Sequence, residues 1–320
     1  MNHGVLVADV GGTTTRVRLC SLPDLRVRAE QDYPSAEYPD LASLLRRFLA
    51  GQAGIEVQAA CLAVAGPVRD GRAKITNLPW RVSESGLALE LGMERVRLVN
   101  DFEAIGHALP HLPAADFHVL QAGQPEPRGN RLLLGAGTGL GTAVLARCGN
   151  DWQVLPGEGG HMDFAPRTAQ QQALLAWLWQ QQPRVSLEML VSGPGLERIY
   201  RYLDGTGETV MPEAAMISRR GLSGEDRRAE EALALFVSLY AAAAANLALP
   251  ALATGGVYLA GGIAPRLVDK LDDGSFVRTF RDTPAMADLL AAMPVKVVLN
   301  ERAGLLGAAR LARILATGPV

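Results

Sequence analysis

Glu158 and His161 lie three residues apart in LPGEGGHMDF, flanked by Gly157, Gly159 and Gly160. A carboxylate and an imidazole in a glycine loop can each take two hydroxyl groups as donor or acceptor, which suits a polyhydroxylated ligand. The plainer alternatives are a solvated loop acid and a hydrogen-bonded structural histidine. Asn100 and Asp101 end the strand-like run VRLVN and open DFEAIGHAL. Ligands of open α/β sheets sit outside such strand ends. Asp101 there is either a helix N-cap or a base that orients and deprotonates an attacking hydroxyl. Glu188, in RVSLEMLVSGPG, reads on its own as an exposed helical glutamate. No second His or Cys stands at ligand spacing from His161, so a metal site there has little support.

Two further stretches suit an anion. VADVGGTTTRVRL and LLLGAGTGLGTAVLA both read as strand, Gly/Thr turn, strand. Glycine lets backbone N–H groups approach a phosphate, and threonine hydroxyls add donors. Two such turns could cradle a polyphosphate. Two bare hairpins without a ligand are the alternative. A P-loop is excluded because the chain has no Gly-Lys pair, and the Gly135–Gly141 run fails the GxGxxG spacing in every frame. Only the first turn follows an acid. Asp9 there can hold Mg²⁺, directly or through water, or simply start the turn. The repeated pattern implies two related halves with unequal chemistry.

The elements that must carry these residues alternate. Val5–Val10, Arg16–Cys20, Ala59–Ala65, Val96–Val99, GVYLA and Val295–Leu299 read as strands. Leu41–Ala50, Ala169–Gln181, Gly195–Leu203, Asp226–Ala248 and Gly304–Leu315 read as helices. That alternation is an α/β architecture. The 320 residues, 48% hydrophobic and 20% charged, are enough for one large or two ordinary domains. A net charge of −2 without like-charge runs gives no indication of a nucleic-acid or anionic-membrane surface. Leu233–Ile263 carries no charge and is long enough to span a bilayer. Pro250 and Gly255-Gly256 break it, so it reads as a buried helix, a turn and a strand. Three scattered cysteines support neither a zinc knuckle nor a disulfide framework, and the N-terminus lacks a signal-peptide pattern. A reducing cytoplasm is the simplest expectation.

DVGGTTTR, AVAGPV with TNLPW, LVNDF, GAGTGLG, LPGEGGH, VSLEMLVSGPG and LAGGIAPR occur in this order, from about Leu6 to the closing GLLGAARL. Together they resemble bacterial ATP-dependent glucokinases of the hexokinase-like group. The resemblance implies a two-domain actin-like ATPase (ribonuclease H-like) fold with an interdomain cleft. The small domain would comprise residues 1–110 plus 301–320, and the large one residues 111–300. It implies ATP-dependent phosphorylation of D-glucose at the 6-hydroxyl, with Mg²⁺, at the head of glycolysis, by a cytoplasmic homodimer. Asp9, Gly11, Gly12 and Thr13 match the first phosphate loop. Gly135, Gly137, Thr138 and Gly139 match the second, and Gly261-Gly262 the adenosine-side glycines. Asn100, Asp101, Glu158, His161 and Glu188 match sugar-binding positions, with Asp101 the general base. The family's usual Asn after GGT is Thr14 here. The zinc-binding CxCGxxGC signature of ROK (repressor, ORF, kinase) sugar kinases is absent, as is a helix-turn-helix segment before the first strand. A kinase for another hexose, or a polyphosphate-using one, stays open. So does a non-catalytic sugar sensor, which would need neither Asp9 nor Asp101.

Overall fold

A computed structural model describes residues 2–52, 54–205 and 210–318. The chain divides into two compact units, Met1–Leu112 with Arg302–Val320, and Pro113–Glu301.

In the first unit, β1 (Asn2–Val10) turns at residues 11–13 into β2 (Thr14–Ser21), which runs on to β3 (Val27–Pro34). Helix α1 (Leu41–Leu49) is capped by Asp40, whose Oδ1 accepts the Ser43 N–H at 2.7 Å. It leads into β4 (Ile55–Val64). A small antiparallel sheet follows, β5 (Val68–Arg69), β6 (Arg72–Lys74) and β7 (Arg81–Ser83), and then helix α2 (Glu84–Leu91). β8 (Val96–Asn100) delivers the chain into α3 (Asp101–Ala108). The main sheet has the order β3-β2-β1-β4-β8. β1 is buried on both faces, the pattern of a strand covered on each side. Leu6, Ala8 and Val10 pack in one cluster with Leu41, Leu44, Leu45 and Phe48 of α1. Val5 and Val7 pack in another with Ala104 of α3.

The second unit holds β9 (Phe117–Gln121), β10 (Arg131–Ala136), β11 (Leu140–Cys148), β12 (Asp151–Gly157), β13 (Gly256–Ala260) and β14 (Val295–Val298). Their order is β12-β11-β10-β13-β14-β9. The echo between the two Gly/Thr stretches is therefore a repeat of topology. Each unit has an antiparallel three-strand meander whose first strand then pairs in parallel with the next crossover strand. β9 is an addition, antiparallel to β14.

Helices α4 (Ala169–Trp179), α5 (Gly193–Asp204), α6 (Ala214–Ser223) and α7 (Arg227–Ala251) lie between β12 and β13. The short α8 (Val268–Leu271), α9 (Ser275–Arg281) and α10 (Ala287–Ala292) lie between β13 and β14. Among the described residues, α7 alone is long and apolar enough to cross a membrane, and most of that stretch is buried inside the unit. Ala241, Ala243, Ala244 and Ala245 pack there with Phe236, Tyr240 and Phe276. The helix runs past the predicted end near Ala248 and takes Pro250 into its last turn, before Leu252 stops it in a left-handed conformation. The closing helix α11 (Ala303–Thr317) belongs to the first unit and packs on α3 and on β1 through Leu305, Ala308 and Ala312. Cys20 and Cys61 are buried free thiols, as their apolar surroundings predict, and Cys148 is exposed.

Candidate functional site

The first unit places its polar residues at the ends of β1 and β8. After β1, the Gly11 N–H closes the turn on the Thr14 carbonyl at 3.0 Å. Gly12 is required by a close approach, since a Cβ there would come within 2.8 Å of the Thr76 carbonyl oxygen. Ser35, fully buried, fastens the turn. Its hydroxyl donates to the Gly11 carbonyl at 2.9 Å and shares a hydrogen bond with the Thr15 hydroxyl, and its N–H donates to the Thr13 carbonyl. The Gly12 and Thr13 N–H groups have no partner among the described residues. Free amides at a turn are what an anion-binding nest offers.

Asp9, just before this turn, lies 3.8 Å from the Arg16 guanidinium. Burial pushes its carboxyl pKa up; Arg16 opposes this and Asp32 adds to it. At the end of β8, the N-cap of α3 is Asn100, not Asp101. Asn100 Oδ1 accepts the Phe102 N–H at 2.9 Å, and its amide donates to the Gly66 carbonyl at 3.0 Å. Asp101 is the first residue of the helix, and its Oδ1 also accepts the Phe102 N–H, at 3.0 Å. Burial, reinforced by the charge of Asp9, pushes the Asp101 carboxyl up to about 7. A carboxyl that titrates near neutrality beside a second carboxyl has the properties of an acid–base group.

The second unit repeats the turn at the tip of β10 and β11. The Gly137 N–H donates to the Gly139 carbonyl at 2.8 Å, and the Gly193 N–H donates to the Gly137 carbonyl. Thr138 and Gly139 are left with N–H groups that have no partner among the described residues, the arrangement seen at Gly12 and Thr13. Gly135 lies outside this turn. It sits buried inside β10, opposite Gly141 and Ala260. Gly261 follows β13 at φ 79°, where a Cβ would come within 2.6 Å of the Ala136 carbonyl oxygen; Gly262 beside it has open space.

Glu158 and His161 follow β12, Glu158 preceding and His161 ending a short 3-10 turn over Gly159–His161. Their side chains are 64% and 61% exposed and 3.8 Å apart. Thr142 of β11 holds this loop. Its hydroxyl donates to the Gly157 carbonyl at 2.8 Å and accepts the Gly159 N–H at 3.0 Å, on either side of Glu158. Gly160 packs too tightly on the Leu140 carbonyl to admit a Cβ. Glu188 is not on an exposed helix. It lies in a turn ahead of α5, donates its N–H to the Gly160 carbonyl at 2.8 Å, and accepts the Leu140 N–H on Oε2 at 2.9 Å. The second unit thus joins the Gly137–Gly139 turn, Glu158, His161 and Glu188 in one hydrogen-bonded group. In the first unit no hydrogen bond ties Asp9 and the Gly11–Thr13 turn to Asn100 and Asp101 among the described residues; the charge of Asp9 acting on the Asp101 carboxyl links them.

Ser35, Thr15 and Thr142 support these groups, and no sequence motif marks them. Each acts through contacts with residues distant in the chain, which no local spacing reveals. Among the described residues no cluster of three or more His, Cys, Asp or Glu could hold a metal ion.

The glucokinase family model matches residues 6–314. A glucokinase from Nostoc sp. is 39% identical over 334 residues, covering 95% of this chain and 97% of that one. Among solved structures, a glucokinase from an Antarctic psychrotroph superposes with a TM-score of 0.85 at 34% identity, covering 97% of this chain and 98% of that one. A ROK family glucokinase from Streptomyces griseus, in complex with glucose and AMPPNP, shares the fold at 21% identity and a TM-score of 0.67, over 97% and 99% of the two chains. With a motif set that runs almost end to end and a fold shared with solved glucokinases, the chain belongs to the glucokinase family.

Proposed function

We propose that the chain transfers the γ-phosphoryl group of ATP to the 6-hydroxyl of D-glucose, with Asp101 as general base. The observation that carries this is the Asp101 carboxyl itself, held at a strand end with a pKa raised to about 7. A base with that pKa accepts the 6-hydroxyl proton as the oxygen attacks phosphorus in line. Asn100, Glu158, His161 and Glu188 take the other sugar hydroxyls. The amides of Gly12, Thr13, Thr138 and Gly139 take phosphate oxygens as negative charge develops. The Gly261-Gly262 step leaves room for the adenosine.

Asp9 and Asp101 are hard oxygen donors, and the charge of Asp9 adds to the burial that raises the Asp101 pKa, so the pair would suit Mg²⁺, with Asp9 as its holder, directly or through water. When bound, the ion supplies neutralising charge at the phosphate oxygens. A cytoplasmic homodimer acting at the head of glycolysis completes the reading, on the strength of the family.

The test is ATP- and Mg²⁺-dependent formation of glucose 6-phosphate, run beside mannose, fructose, N-acetylglucosamine and a polyphosphate donor. Strong preference for glucose with ATP is expected. Preference for another hexose would keep the phosphate turns and Asp101 and rewrite the sugar contacts. Sugar binding without turnover on any of them would make the chain a sensor.

Glu158→Gln tests the sugar side separately. A carboxylate accepts two hydroxyl hydrogen bonds more strongly than an amide oxygen does. The Michaelis constant for glucose should rise by about tenfold, the equivalent of ~1.4 kcal/mol, with the constant for ATP nearly unchanged. Unchanged glucose affinity would remove Glu158 from the sugar site.

A further inference from the structure

We infer that Glu188 is a positioning residue for the second phosphate-binding turn, and so controls nucleotide binding even when no sugar is present. The inference rests on the functional reading above and extends it, because that reading gives Glu188 to the sugar alone.

The segment 186–193 touches both loops of the second unit. Its backbone meets the sugar-side loop twice, through Leu187 N–H to the Met162 carbonyl and Glu188 N–H to the Gly160 carbonyl. It meets the phosphate-side turn twice as well, through Gly193 N–H to the Gly137 carbonyl and through the Glu188 carboxylate, which accepts the Leu140 N–H at 2.9 Å. Leu187, Leu190 and Val191 are buried in the core of the unit, so this segment is a firm base. The carboxylate lies against the flank of the turn. A Cβ on Gly139 would come within 2.5 Å of Glu188 Oε2.

That placement has a consequence for the amides. Of the N–H groups from Gly137 to Leu140, the first is spent inside the turn and the last on Glu188. The two between them, on Thr138 and Gly139, are the ones left for phosphate. A hydrogen bond to an ionised acceptor is roughly twice as strong as a neutral one. Glu188 therefore fixes the end of the turn from which those two amides project. Its other oxygen, Oε1, has no hydrogen-bond partner among the described residues, which leaves it for a sugar hydroxyl. One carboxylate then serves both substrates, and a sugar that pins it also orders the turn. Any such coupling must be reciprocal between sugar and nucleotide.

The test is calorimetric titration of a non-hydrolysable ATP analogue with Mg²⁺ into the sugar-free wild type, Glu188→Gln, Glu188→Ala and Glu188→Met. Gln keeps an oxygen that can accept the Leu140 N–H. Ala and Met do not, and Met keeps the bulk, so that a cavity effect is separated from the lost bond. We expect nucleotide affinity to fall about tenfold in both Ala and Met variants and to stay close to wild type in Gln. Glucose affinity should fall in all three. Nucleotide affinity unchanged in the Met variant would overturn the inference and return Glu188 to the sugar alone. No analogue binding by the wild type would overturn the kinase reading and the tether with it.

Discussion

Glucose phosphorylation by Asp101→Asn falls by about 10²-fold or more, the usual cost of removing a general base, while glucose still binds. Asn keeps the shape of the side chain and an oxygen for the Phe102 N–H, so the loss is chemical. The pH dependence has a definite sign. Asp101 must be ionised to accept a proton, and its carboxyl is pushed up to about 7. Wild-type kcat/KM should therefore decline as pH falls through about 7 rather than through the ordinary carboxylate range. The residual activity of the Asn variant should lack that limb. A pH–rate profile flat from 8 to 5 would sink the assignment. Stability runs the other way. The folded-state pKa lies above the unfolded value of 3.8, so the folded protein binds a proton more tightly. The stability tied to that proton is fully present below about pH 4 and is lost as pH rises through 7. Above 7, an ionised Asp101 is a net cost. Asp101→Asn should then be more stable than wild type at pH 8, with the gap closing toward pH 4. Three pKa units convert to ~4 kcal/mol at most, and solvent access to the partly exposed carboxyl brings the expected gain to about 1–2 kcal/mol. Thermal melts at the two pH values read it directly.

What the sequence made legible follows from how locally each feature is specified. Residues 5–8 of β1 and 59–64 of β4 announce themselves because both faces are buried there, so the apolar run is unbroken. The charged VRAEQDYP of β3 does not, because it is an edge strand with Tyr33 alone buried, and no alternation marks it. β5 to β7 are two or three residues long and held by their partners. Short α8 to α10 are likewise made by packing rather than by pattern. In the site, Asp9 and Asp101 are legible because a strand end followed by a turn or a helix start is a local event. Asn100, not Asp101, takes the cap, since its amide is also bound by the Gly66 carbonyl, 34 positions back in the chain. Glu188 is the clearest limit. Its neighbours suggest an exposed helix, and only the family resemblance gave it a role. The fold then sets it against Leu140, 48 positions away. Ser35 and Thr142 are not legible because, in sequence, a hydroxyl that straps a loop looks like any other hydroxyl.

Gly307→Ala should lower stability by about 3 kcal/mol and carry turnover down with it. The position is the fifth of the fifteen residues of α11, inside the helix, where glycine is ordinarily a defect. On helix propensity alone, alanine would be better by ~1 kcal/mol. The fold reverses that sign. A Cβ at Gly307 overlaps the backbone carbonyl of Ala104 and approaches the Ala108 nitrogen, both in α3. The obstacle is backbone, so no side chain can swing aside, and the two helices must part. Overpacking of this kind costs about 1–3 kcal/mol, sometimes more. Parting is expensive here because the neighbouring contacts, Ala104, Leu305, Ala308 and Ala312, are fully buried and packed to close range. The displaced helix is also the one that begins with Asp101. A shift along α3 moves the carboxyl proposed as the general base, and a misplacement of about 1 Å can cost on the order of 10² in rate. The distinguishing pattern is a lowered melting temperature together with a loss of kcat larger than the fraction unfolded explains, with glucose affinity retained by the folded part. A melting temperature equal to or above wild type would show that α3 and α11 separate freely, and that Gly307 does not set the position of Asp101.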